Sequence, residues 1–92
     1  MAKPTITLKK QTFRLIDPYA KKVLLAGDFT EWQKGAIEMK KNGGGLWTQT
    51  VELGPGAHSY LFIVDGQWRE DPTCPTRIAN PFGGQNMVRQ VG

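Results

Sequence analysis

Few side chains in this sequence carry chemistry beyond packing: three tryptophans, one histidine, one cysteine and some neighbouring carboxylates. Nucleophilic catalysis needs a base within hydrogen-bond reach of a hydroxyl or thiol. His58 stands between Gly54-Pro55-Gly56 and the strand that follows, where a structural or exposed role is expected. Cys74 has no second cysteine with which to share a metal, and one histidine cannot complete a site. It lies beside Pro75 in a loop and is assigned no reactive role. Gly43-Gly44-Gly45 lacks the following Lys-Ser/Thr of a phosphate cradle, and no helix follows to hold an anion. Glu70 and Asp71 are adjacent, but neighbours on a strand point to opposite faces. The expectation is a protein that is not an enzyme, with no cofactor and no metal site.

The tryptophans are more informative. Trp47 is in phase with Val51 and Leu53 on an alternating segment, so it belongs to the core. Trp32 closes the polar stretch Gly27-Asp28-Phe29-Thr30-Glu31, and Trp68 follows the Asp65-Gly66 turn beside Arg69 and Glu70. An indole near turns and charges must be covered or used. Two roles are therefore open to each: a lid on the edge of a sandwich, or a ligand platform. A flat indole suits a pyranose ring, whose C–H bonds meet the π surface while hydroxyls stay free at the rim.

The elements that position these residues are strands. Turn signals recur at Asp17-Pro18, Asn42-Gly43-Gly44-Gly45, Gly54-Pro55-Gly56, Asp65-Gly66, Asp71-Pro72 and Gly83-Gly84. No segment between them has the apolar period of an amphipathic helix. Strands are predicted over 13–16, with an earlier piece around Ile6 to Leu8, then 23–26, 46–53, 58–64, 67–70 and 86–91. The segment 23–26 reads as a central strand, and 71–84 as an irregular stretch. Asp65-Gly66 is the strongest hairpin signal, since a type I′ turn needs positive φ at both central residues. Residues 1–92 form one domain in this reading, an all-β, immunoglobulin-like antiparallel sandwich of about seven strands. A five-stranded barrel is the alternative.

Ninety-two residues suffice for one core, and a lone cysteine leaves the fold to stand on packing. The polar start, the absence of a spanning run and the unpaired thiol predict a cytoplasmic protein. The net charge of +4 comes from dispersed doublets, Lys9-Lys10, Lys21-Lys22 and Lys40-Lys41. They read as solubilising lysines that blunt strand edges rather than a nucleic-acid or membrane surface.

At Gly27-Asp28-Phe29-Thr30-Glu31-Trp32 the sequence resembles the G-x-F-x-x-W of the glycogen-binding domain of the AMP-activated protein kinase β subunit. The run from Gly54-Pro55-Gly56 through Tyr60-Leu61-Phe62 to Val64-Asp65-Gly66-Gln67-Trp68 is similar to that family's P-x-G-x-x-x-Y-K-F-x-V-D-G-x-W. Asp71-Pro72 matches the D-P that follows, and residues 80–86 resemble the closing loop of bacterial members. The resemblance, to carbohydrate-binding module family 48, extends from about Phe13 to Val91. It implies an early-set immunoglobulin-like sandwich and non-catalytic binding of α-1,4-linked glucan, glycogen or starch-like, by a monomer. It also implies roles by position: Trp32 and Trp68 stack on sugars, Phe82 projects through the sugar chain, and Asn86 hydrogen-bonds hydroxyls.

One position departs from the pattern. Leu61 stands where the family has a lysine that contacts sugar hydroxyls, and it cannot donate a hydrogen bond. The loss of one such contact weakens binding by about 1–2 kcal/mol, roughly five- to thirtyfold. Hence a second reading, a protein-interaction or regulatory module on the same scaffold, partnered by a glycogen-metabolising enzyme or another protein.

Overall fold

The computed structural model describes residues 7–81 and 83–92. Among them are nine strands: β1 (Lys9–Ile16), β2 (Val23–Gly27), β3 (Ile37–Glu38), β4 (Lys40–Asn42), β5 (Leu46–Leu53), β6 (Gly56–Val64), β7 (Gln67–Arg69), β8 (Arg77–Ala79) and β9 (Gln85–Val91). All pairings are antiparallel. One sheet runs β1-β5-β4; the other runs β3-β2-β6-β9-β8, with β7 also on β6. The two sheets form the expected all-β, immunoglobulin-like sandwich.

Alternation puts the large side chains between the sheets. Phe13 and Leu15 of β1, Leu25 of β2, Tyr60 and Phe62 of β6 and Met87 of β9 are all buried. Full burial of each contributes about 1.5–3 kcal/mol. Phe13 and Tyr60 meet edge to face at 4.7 Å, and Arg89 lies 4.2 Å over the Phe13 ring. Trp47 is in the core as predicted, its Nε1 donating to the Asp17 carbonyl at 3.0 Å. The β6–β7 turn has φ of 48° at Asp65 and 86° at Gly66, both positive as the hairpin signal requires.

Three sequence-based expectations need correction. The first strand begins at Lys9, so Thr7 and Leu8 lie outside it, and Ile6 is outside the described residues. The strands β3 and β4 are two and three residues long, too short for a visible period. The strand β8 sits inside the stretch expected to be irregular; all three of its residues are exposed, so it shows no alternation. Nine strands thus replace the expected seven. Lys40 and Lys41 lie on β4, an edge of the smaller sheet, where charge discourages pairing with other chains.

The stretch after β7 is anchored by a buried carboxylate. Asp71 is 4% exposed; its Oδ2 accepts the Tyr60 hydroxyl at 2.7 Å. Its Oδ1 accepts the Thr73 backbone N–H at 2.9 Å and the Thr73 hydroxyl at 2.7 Å. Burial, together with the hydrogen bond to Asp71, raises the Tyr60 phenol well above its ordinary pKa. The phenol is therefore a dependable donor at neutral pH.

Candidate functional site

The long strand β6 forks the larger sheet. One edge carries β2 along Tyr60 to Val64. The other edge is divided: β9 pairs from Gly56 to Tyr60, and β7 pairs from Phe62 to Val64. Leu61 is the residue left between these two partners. Its side chain is opposite in parity to the core residues Tyr60 and Phe62, so it faces the sheet's outer side. A groove of about 630 Å³ lies there, with Leu61 in its floor. Trp68 and Glu70 line it from the β7 side, Gln85 and Asn86 from the β9 side, and Trp32 from the loop after β2.

The loop that carries Trp32 is tightly built. A Cβ at Gly27 would lie 2.5 Å from the Ser59 carbonyl oxygen and 2.6 Å from the Phe29 ring. The Gly27 backbone N–H donates to Thr30 Oγ1 at 2.9 Å. That hydroxyl also lies 3.0 Å from the Gly27 carbonyl and 2.9 Å from the Trp32 carbonyl, one of which takes its proton. Glu31 and Trp32 then both adopt left-handed backbone, with φ of 55° and 56°. Such a conformation is unfavourable by about 1–2 kcal/mol per non-glycine residue. A Cβ at Gly35 would collide with the Thr30 carbonyl, so the 3-10 turn Trp32–Gly35 closes only over glycine. The strained pair turns the half-buried indole toward the groove.

Trp68 needs no such device. It pairs with Ile63 on the three-residue β7 and is 49% exposed. Neither its indole N–H nor that of Trp32 is hydrogen-bonded among the described residues, in contrast to Trp47. Asn86 takes up its position through Asn80, whose Nδ2 donates to Asn86 Oδ1 at 3.1 Å. Asn80 also closes its own loop: Gly84 N donates to its Oδ1 at 3.0 Å, and its own N–H donates to Gly84 O at 2.9 Å. The Asn86 Nδ2 is unengaged among the described residues. Phe82 belongs to this loop by sequence but lies outside the described residues.

The groove thus offers two ring faces, an apolar floor and a rim of free N–H donors. That combination suits a ligand with alternating C–H faces and hydroxyl edges. Among the described residues no group of histidine, cysteine, aspartate and glutamate could hold a metal ion. No helix there is long and apolar enough to cross a membrane.

Comparison with known families places the chain. Residues 17–91 match the family model described as the glycogen recognition site of AMP-activated protein kinase. The chain belongs to this family.

Glycogen-recognition domains are glucan-binding modules, so this chain has the scaffold of a glycogen- or starch-binding module. It is 35% identical over 71 residues to 5'-AMP-activated protein kinase subunit beta-1 of Sus scrofa, covering 77% of this chain and 55% of that one. It is 43% identical over 69 residues to Protein PTST homolog 2, chloroplastic, of Arabidopsis thaliana, covering 75% and 12%. Against Phosphoglucan phosphatase LSF1, chloroplastic, of Arabidopsis thaliana, identity is 37% over 70 residues, covering 76% and 12%. The chain spans about half the length of the Sus scrofa subunit and 25% of the Rattus norvegicus one.

Of the residues singled out from sequence, Trp32, Trp68 and Asn86 come together at one groove. Arg69, Glu70, Asn80 and Gln85 also line it, although sequence reasoning assigned them no site role. Arg69 and Glu70 had a signal, since they are the two charged residues that directly follow an exposed tryptophan. Asn80 had one too, in the Asn80-Pro81 turn before two glycines.

Proposed function

We propose that this chain binds α-1,4-linked glucan non-catalytically, in the groove between β7 and β9. Trp32 and Trp68 are the stacking platforms, Asn86 hydrogen-bonds sugar hydroxyls through its free Nδ2, and Phe82 projects through the sugar chain. The observation that carries the reading is the meeting of two indoles, each with an unengaged N–H, at one groove with Asn86. Residues 1–92 act as one monomeric module in the cytoplasm, and a glycogen-metabolising enzyme is the protein partner that could share its polysaccharide. Binding is weak, because the waters displaced from the groove had already satisfied the sugar hydroxyls. A titration with maltoheptaose or β-cyclodextrin, followed by tryptophan fluorescence, is expected to saturate in the millimolar range. No response at millimolar sugar sinks the proposal.

The Leu61 floor makes a second expectation. Leu61 is 8% exposed, so a lysine there would run its methylenes along the floor and lift its ammonium to the rim. Leu61→Lys is expected to tighten maltoheptaose binding by about fivefold. Calorimetric titration checks this, and weaker binding by a folded variant would show that the floor tolerates only an apolar side chain.

A further inference from the structure

One large aromatic ring outside the groove has no packing role. Tyr19 is 88% exposed, yet its backbone is firmly held. Asp17 Oδ1 accepts the backbone N–H groups of Tyr19 and Ala20, both at 3.1 Å. Asp17 Oδ2 accepts Arg69 Nη2, also at 3.1 Å. The side chain of Asp17 is 14% exposed, so one mostly buried carboxylate joins the Tyr19 turn to the end of β7.

A second concavity, of about 450 Å³, lies between this turn and the β6–β7 hairpin. Tyr19, Gln67 and Arg69 line it. Arg69 also lines the first groove, so the two concavities share this residue. Between them runs β7, which pairs only with β6 and exposes all three of its residues. Neither the Tyr19 hydroxyl nor the Gln67 amide is hydrogen-bonded among the described residues. Asp65 in the same wall is different: its carboxylate is taken by the Lys21 and Lys22 backbone N–H groups at 2.8–3.2 Å. The free groups are a flat ring, a planar amide and part of a planar guanidinium. Such a set can stack on one sugar and bridge its vicinal hydroxyls.

We propose that Tyr19, Gln67 and Arg69 form a second sugar subsite, so that one glucan chain runs from the Trp68 groove over Arg69 onto the Tyr19 ring. This rests on the glucan reading of the first groove. An α-1,4-linked chain curves, as the path around the free edge of β7 demands. Short oligosaccharides fill the first groove alone, whereas longer chains also engage Tyr19 and gain affinity.

The test compares maltotetraose with short-chain amylose by calorimetric titration of the wild type and of Tyr19→Ala, Gln67→Ala and Tyr19→Phe. Tyr19→Ala and Gln67→Ala are expected to weaken amylose binding by about three- to tenfold and to leave maltotetraose binding unchanged. Tyr19→Phe keeps the ring and is expected to retain most of the amylose affinity. Since Asp17 holds the turn through backbone N–H groups, truncating Tyr19 does not release it. Unchanged amylose binding by Tyr19→Ala, or equal loss of both sugars, would overturn the subsite while leaving the first groove standing. Wild-type protein that binds neither sugar would instead remove the glucan reading, and this subsite with it.

Discussion

Trp68→Ala is expected to lower affinity for maltoheptaose by about thirtyfold or more, the loss typical of a half-exposed aromatic anchor. The indole contributes a stacking face and an N–H, and alanine supplies neither. The groove opposite it is intact in the variant, because Asn86 is held by Asn80 and Trp32 by the Gly27–Thr30 turn. Stability should fall by only about 1 kcal/mol, the range of a surface substitution that uncovers part of a neighbour, here Ile63. Calorimetric titration and thermal unfolding of the same sample separate the two effects. Full affinity in a folded Trp68→Ala protein would remove Trp68 from the site.

The opposite profile is expected at Asp71, where the fold suffers more than any one contact with sugar. Asp71→Ala leaves the Tyr60 hydroxyl without its 2.7 Å acceptor, inside a core where the ring is 1% exposed. It also strips Thr73 of its side-chain and backbone acceptor. A buried orphaned donor such as the Tyr60 hydroxyl costs about 1–3 kcal/mol, and the two bonds lost at exposed Thr73 add less, so a total loss of about 3 kcal/mol is expected. For a domain of this size that lowers Tm by about 12–24 °C. Tyr60→Phe removes the same hydrogen bond from the other side, and should be milder at about 1–2 kcal/mol. Because the two residues share one bond, the double variant should be less destabilised than the sum of the singles. Strict additivity in denaturant unfolding would show that the pair is not coupled.

These two positions mark what the sequence could disclose. Trp47 was legible because Val51 and Leu53 repeat its phase, and Asp65-Gly66 because its geometry permits few residue types. The groove tryptophans were legible as indoles out of phase with any core. Asp71 was visible only as a carboxylate beside Glu70, since nothing local says that Tyr60 waits beneath it. The left-handed backbone at Glu31 and Trp32 carries no glycine to announce it; the hydroxyl of Thr30 and the close approaches at Gly27 and Gly35 impose it. Arg77-Ile78-Ala79 pairs through backbone alone and exposes every side chain, so β8 had no pattern to show. The division of β6 between β7 and β9 joins residues distant in the chain. Only the assembled sheet reveals why position 61 faces the groove.

That division has a dynamic consequence. The arm bearing Trp68 is held to β6 by three residue pairs, while the β9 arm bearing Asn86 has five with β6 and three more with β8. Among the described residues no β7–β9 strand pairing joins the two walls, whose sides meet in the Arg77–Glu70 ion pair at 3.6 Å, so the shorter ladder can open while the longer stays closed. Amide protons of β7 should therefore exchange with solvent sooner than those of β9. A sugar bridging both walls would act as the missing rung, and its dwell time would be set by how often the short arm swings away.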